Sequence, residues 1–158
     1  MRTFTRLLCM TVLVVAVGVV QAHAKADFSG TWKIDSSKSD FGPMPPPDSV
    51  TEKITHQDPD LKANVASTGG AMGDMTYDVN YTTDGKECTN TFAGNEFKST
   101  VKWEGEELVI DTKGKFNDSE FTSKDRWSLS SDGKTLTMAR HVSSAMGEAD
   151  MKMVFVKQ

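Results

Sequence analysis

Few groups in this chain could do chemistry, and their spacing argues against most of it. Beyond residue 24 there are two histidines, His56 and His141, and one cysteine, Cys88. His141 and the thioethers of Met138, Met146, Met151 and Met153 would suit copper(I). Strand alternation, however, turns Met138, Met151 and Met153 inward, where methionine fills irregular core gaps. His56 falls on an inward position near a strand end and His141 on an outward one. A lone inward histidine is what a small haem-binding barrel uses; the alternative is a satisfied core imidazole. Cys88 also points inward, as a small buried hydrophobe rather than a nucleophile. No spacing of Ser, His and Asp assembles a triad, and no Gly-rich loop stands between a strand and a helix to hold phosphate. The chain is therefore expected to bind rather than catalyse, with no metal or cofactor.

One constellation does gather polar groups, and the turns define it. Asp-Gly between alternating runs is a strong hairpin signal, because both central residues need positive φ. Centring a two-residue turn on Asp132-Gly133 pairs Leu129 with Leu136, Trp127 with Met138 and Asp125 with Arg140. Asp84-Gly85 likewise pairs Tyr81 with Cys88, Val79 with Asn90 and Tyr77 with Phe92. Gly94-Asn95 pairs Phe92 with Phe97 and Asn90 with Ser99. Gly105-Glu106 pairs Trp103 with Leu108, Val101 with Ile110 and Ser99 with Thr112. A four-residue loop Asn117–Glu120 pairs Phe116 with Phe121 and Thr112 with Asp125. A one-residue slip would reverse every side chain on a strand, and these turns agree in parity.

Chained together, the pairs predict an inward row of Val79, Asn90, Ser99, Thr112, Asp125 and Arg140, polar from Asn90 to Arg140. Isolated buried polar groups are costly unless partnered. A row can partner itself, or hold water and the polar end of a ligand. In the second case Arg140 anchors an anionic or carbonyl group with its planar fork, Asp125 orients it, and Trp127 and Tyr77 line the space. In the first case Asp125 and Arg140 form a structural ion pair. Both readings stay open.

The elements that position this row are strands. No run beyond residue 24 keeps a 3.6-residue period; short alternating runs recur between Gly, Asp, Asn and Pro. Ten strands are predicted: Phe28–Ile34, Val50–His56, Leu61–Ser67, Met75–Tyr81, Cys88–Phe92, Phe97–Trp103, Leu108–Phe116, Phe121–Leu129, Leu136–Val142 and Met151–Val156. The connection 35–48 contains Pro45-Pro46-Pro47, which can neither continue a helix nor donate to a ladder. It is expected to be an extended loop, either lying across one barrel mouth or serving as a plain connector.

Residues 1–24 read as a secretory signal peptide. Arg2 and Arg6 are followed by the apolar run Leu7–Val20 and then by Ala22-His23-Ala24, with cleavage expected after Ala24. Residues 25–158 then make one domain in the periplasm or outside the cell. Losing Arg2 and Arg6 makes the formal charge more negative than −4, a poor match to nucleic acid or anionic membrane. Cys9 leaves with the signal, so no intramolecular disulfide can form. The domain is expected to be a monomer held by its core alone.

The segment Phe28-Ser29-Gly30-Thr31-Trp32-Lys33 resembles the Gly-x-Trp signature on the first strand of lipocalins and fatty-acid-binding proteins, the calycin group. The stretches 35–42, 83–86 and 132–136 resemble those of otherwise uncharacterised lipocalin-like secreted bacterial proteins. The resemblance implies an all-β, up-and-down antiparallel meander β-barrel of about ten strands holding a small, largely apolar ligand. It also implies that Trp32 packs inside one barrel end under a basic side chain from a late strand, Arg140 or Arg126, with parity favouring Arg140. Two features depart from the group. A proline loop replaces the helical lid of fatty-acid-binding proteins, and residues 151–157 lack their Arg-x-Tyr carboxylate clamp. The alternative expectation is a filled barrel acting as a structural or protein-interaction module.

Overall fold

The computed structural model describes residues 25–116 and 118–158; the expected signal peptide, residues 1–24, lies outside the described residues. Ten strands follow one another: β1 (Gly30–Ile34), β2 (Pro47–Gln57), β3 (Asp60–Gly69), β4 (Met75–Thr82), β5 (Glu87–Phe92), β6 (Asn95–Glu104), β7 (Glu107–Phe116), β8 (Ser119–Leu129), β9 (Thr135–Ser144) and β10 (Gly147–Lys157). They form one antiparallel up-and-down sheet in the order β4-β3-β2-β1-β10-β9-β8-β7-β6-β5. β1 and β10 pair, so the meander curls into a nearly closed barrel with β4 and β5 as its two edges.

Two of the registers predicted from turns are observed. Asp125 faces Arg140 and Trp127 faces Met138 across β8–β9; Trp103 faces Leu108 and Ser99 faces Thr112 across β6–β7. Two others are displaced by two residues. The β5–β6 turn centres on Ala93-Gly94, with φ of 48° and 78°, so Phe92 pairs with Asn95 and Asn90 with Phe97. The glycine takes the second central position of a primed turn rather than the first. At β7–β8, Phe116 pairs with Ser119 and Ile110 with Asp125. There the tight turn has Asp118 at φ 64°, a conformation that Asp tolerates better than most residues. A displacement of two preserves the inward face, so the parity stands while the partners change.

The β4–β5 prediction is corrected: no ladder joins those strands. The amides of their connection bond elsewhere, Thr83 N–H to Pro59 O at 2.8 Å and Gly85 N–H to Val101 O at 2.9 Å. The Asn90 side chain bridges the seam instead. Its Oδ1 accepts from Asn80 N–H at 2.7 Å, and its Nδ2 donates to Asn80 O at 3.0 Å. Tyr77 and Phe92 still meet across the gap, edge to face at 4.7 Å.

The interior is filled unevenly. The fully buried large side chains are Phe28, Trp32, Leu61, Val101, Leu108, Ile110, Leu136, Met138 and Phe155, with Val109 buried on the outer face. The inner ones form one cluster with Ile34, Ile54, Ala63 and Trp127. It occupies the end where β1 begins and β10 finishes. Toward the other end, the inward positions Val50, Tyr77, Phe92, Phe97, Phe116, Phe121 and Val142 are all only half-buried.

Candidate ligand-binding site

The closed end takes its form from Trp32. Its indole N–H donates to Phe28 O at 2.8 Å, and Lys157 Nζ lies 5.2 Å from its ring centroid. Strand register sets that second contact, because Trp32 and Lys157 are β1–β10 partners. The basic cover is thus Lys157, not Arg140 or Arg126. Arg140 is taken by Asp125, and Arg126 lies on the outer wall, donating to Glu104 and Glu107 at 3.0 and 3.1 Å.

His56 belongs to this end as well. Its ring lies 5.7 Å from Phe28 and 6.0 Å from Trp103, and its Nδ1 accepts from Phe28 N–H at 3.3 Å. Burial holds its pKa below the usual imidazole range, against the pull of Asp27 and Asp58. Accepting at Nδ1 places the neutral ring's proton on Nε2, which is buried without a hydrogen-bond partner. Beside it, Lys25, Thr83 and Trp103 donate to Asp58 and hold its carboxyl at about 2. His56 therefore caps the packed end and does not face the polar interior.

Above the packed cluster runs a polar belt. Arg140 Nε donates to Asp125 Oδ1, and Ser123 Oγ donates to Asp125 Oδ2 at 3.3 Å. Ser99 and Thr112 hydroxyls share a hydrogen bond of 2.8 Å. Asp125 and Ser99 are 3% and 2% accessible. Glu52 enters from the opposite wall: it lies between Trp32 on β1 and Val65 on β3, and is 8% accessible. Among the described residues it has no hydrogen bond or ion pair. Burial pushes its carboxyl up to about 7, with Arg140 opposing that rise and Asp125 adding to it. Burial likewise raises the phenols of Tyr77 and Tyr81. The Arg140 guanidinium is stabilised in its charged form, chiefly by Asp125. The indole N–H of Trp127 is buried and without a partner.

Beyond the belt the barrel is lined by half-buried aromatics. Phe97 and Phe121 meet edge to face at 5.6 Å over Gly114, which is paired with both. A Cβ there would sit 2.6 Å from the Phe97 ring, so glycine lets the two rings share one place on the wall. The proline-containing loop borders this end. Asp40 exchanges backbone hydrogen bonds of 2.7 and 2.8 Å with Lys152, and Phe41 packs toward the core. Gly70 comes so close to Pro47 that a Cβ would lie 3.1 Å from its Cα.

Arg140 is incompletely covered at the level of these walls. Its side chain faces inward, yet 37% of its surface is accessible. Tyr77, Phe92 and Phe97 are likewise only half-buried, while their outward neighbours are exposed. Of the residues predicted to form the row, Arg140, Asp125, Ser99 and Thr112 do line the interior. They stand in two rows, Ser99–Thr112–Ser123 and Ile110–Asp125–Arg140, because of the β7–β8 displacement. Asn90 is the seam bridge, Tyr77 lines the open half, and Trp127 joins the packed cluster. Glu52 was missed, although the alternation Val50, Glu52, Ile54, His56 places it on the inner face. Ser123 was hidden by the mis-set turn.

No protein-family model matches the chain, and no curated protein does. Solved structures do share its fold. Zebrafish ileal bile acid-binding protein in complex with cholic acid superposes with a TM-score of 0.58 at 19% identity, over 83% of this chain and 98% of that one. A secretory abundant heat soluble protein from Ramazzottius varieornatus gives 0.61 at 14% identity, over 85% and 98%. Schistosoma mansoni fatty acid binding protein in complex with arachidonic acid gives 0.51 at 14% identity, over 83% and 96%. These neighbours are barrels of the calycin type, and at such identities the likeness concerns the fold alone.

Proposed function

We propose that this chain is an exported, non-enzymatic binding protein for a small, largely apolar molecule, held in the open half of the barrel with its polar end at the belt. The observation that carries this reading is the incomplete cover of the inward Arg140 and of the aromatics beyond it. The inward Arg140 side chain keeps over a third of its surface accessible, and the inward aromatic rings beyond it are only half-buried. Pockets of this kind, mostly apolar with a few polar groups that fix orientation, are what small-molecule sites consist of. Two solved neighbours hold cholic acid and arachidonic acid in their complexes, in keeping with a barrel of this shape enclosing an amphipathic molecule. Export to the periplasm or beyond is supported by the charged, apolar and small-residue pattern of residues 1–24.

Native mass spectrometry of protein purified from its own host, together with displacement of a neutral apolar dye by decanol, tests the proposal. A co-purified small molecule or saturable displacement is expected. If neither dye nor decanol binds, the filled-barrel reading replaces it, with the chain acting as a structural or protein-interaction module.

A further inference from the structure

The interior charges do not balance, and the imbalance has a sign. Three ionisable groups of opposite type meet at the belt: Asp125 from β8, Arg140 from β9 and Glu52 from β2. Asp125 and Arg140 neutralise each other through a direct hydrogen bond. Glu52 is 8% accessible and has neither hydrogen bond nor ion pair among the described residues. The other titratable group that acts on it is the phenol of Tyr77, two strands away across Val65, which burial keeps neutral. An ionised Glu52 would therefore leave the interior with one uncompensated negative charge. A buried, unpaired carboxylate is strongly disfavoured unless it is protonated or given a partner.

A ligand carboxylate would worsen this balance. Arg140 is already committed through Nε, and an incoming anion would add to the charges of Asp125 and Glu52. A ligand cation would close it. We propose that the polar end of the ligand is a protonated amine that pairs with Glu52, so the barrel selects cationic over anionic amphiphiles. This deepens the binding function proposed above and rests on it. The amine sits between Glu52 and the open half, its apolar part runs among Tyr77, Phe92 and Phe97, and the Asp125–Arg140 pair stays intact as part of the wall.

Burial pushes the Glu52 carboxyl up to about 7. Near that pH it is partly protonated, and pairing with a cation drives it to the ionised form. Binding of an amine therefore releases a fraction of a proton, whereas binding of an alcohol of the same chain length releases none.

The test compares decylamine, decanol and decanoate by displacement of a neutral apolar dye from the full domain, for wild type and Glu52→Gln. Wild type at about pH 8.5 is expected to prefer decylamine over decanol by roughly thirtyfold, the low end for a desolvated charge pair, with decanoate weakest. The preference should vanish in Glu52→Gln, with circular dichroism confirming the fold. It should also shrink in wild type at about pH 5.5, where Glu52 is protonated; that arm needs no variant to fold. Calorimetry in buffers of differing ionisation enthalpy should show proton release with decylamine only. Decanoate binding as tightly as decylamine, or an amine preference that survives Glu52→Gln, overturns the charge assignment while leaving apolar binding intact. Failure of all three, decanol included, overturns the binding function itself.

Discussion

The two ends of this barrel have the same strands and the same alternation but different interiors. At one end Trp32, Phe28, Leu136 and Phe155 are inaccessible and interlocked. At the other, Tyr77 meets Phe92 and Phe97 meets Phe121 edge to face, yet all four rings stay only half-buried. The belt of Glu52, Asp125, Arg140 and Ser123 separates them. Stability and recognition are thus divided along the barrel axis: the packed end holds the sheet curled, and the open end is free to stay unfilled. Burying apolar surface stabilises in proportion to the area removed from water, so aromatics left half-exposed are a standing cost unless something covers them.

Truncating one side chain at each end should give the largest difference. Leu136→Ala, at a fully buried position, is expected to cost about 3 kcal/mol in urea unfolding. Phe97→Ala, in the open half, should cost about 1 kcal/mol, because less surface returns to water, while weakening apolar ligand binding. Equal losses would mean the two ends are packed alike.

Next in size is the pH dependence that the belt imposes. Glu52 moves from an ordinary 4.5 to about 7 on folding. Its folded form holds the proton more tightly, so its contribution is fully present below 4.5 and is lost as pH rises through about 7. The difference corresponds to roughly 3 kcal/mol at most. Glu52→Gln removes it, so wild type should lose stability relative to that variant between about pH 5 and pH 8. The carboxyls held low, such as Asp58, cancel in this difference. A flat difference would mean that Glu52 is solvated.

The smallest effect belongs to the seam. Asn90→Ala removes the two hydrogen bonds that join β5 to Asn80, and should cost about 1 kcal/mol. Hydrogen exchange at Asn80 N–H should accelerate while Trp32 and Leu136 remain protected. Uniform acceleration would show that the seam governs the whole barrel.

The strand count and inward parity were legible in the sequence, because a period of two and well-marked turns fix them with little help from tertiary structure. The Asp125–Arg140 pair was legible for the same reason: Asp132-Gly133 centres its hairpin without ambiguity. The displaced registers were not. Ala93 adopts positive φ with a following glycine, and the Asp118 turn is shorter than its polar composition suggests; both depend on how neighbouring strands pull the turn tight. The missing β4–β5 ladder could not be read from Asp84-Gly85, since the amides of Thr83 and Gly85 donate to the carbonyls of Pro59 and Val101, from distant parts of the chain. Lys157 over Trp32 follows from β1–β10 closure, which no local signal encodes. Glu52 was visible in its alternation but sits on a strand without a turn-defined register, so its place opposite Asp125 and Arg140 emerges only when the barrel closes.

The division between the two ends is tested most directly by two-dimensional NMR of the domain titrated with decanol. Saturable shifts are expected at Arg140, Tyr77, Phe92, Phe97 and Phe121, with Trp32, Leu136 and Phe155 unmoved. Shifts centred on the Trp32 cluster, or confined to outward-facing residues, would contradict it.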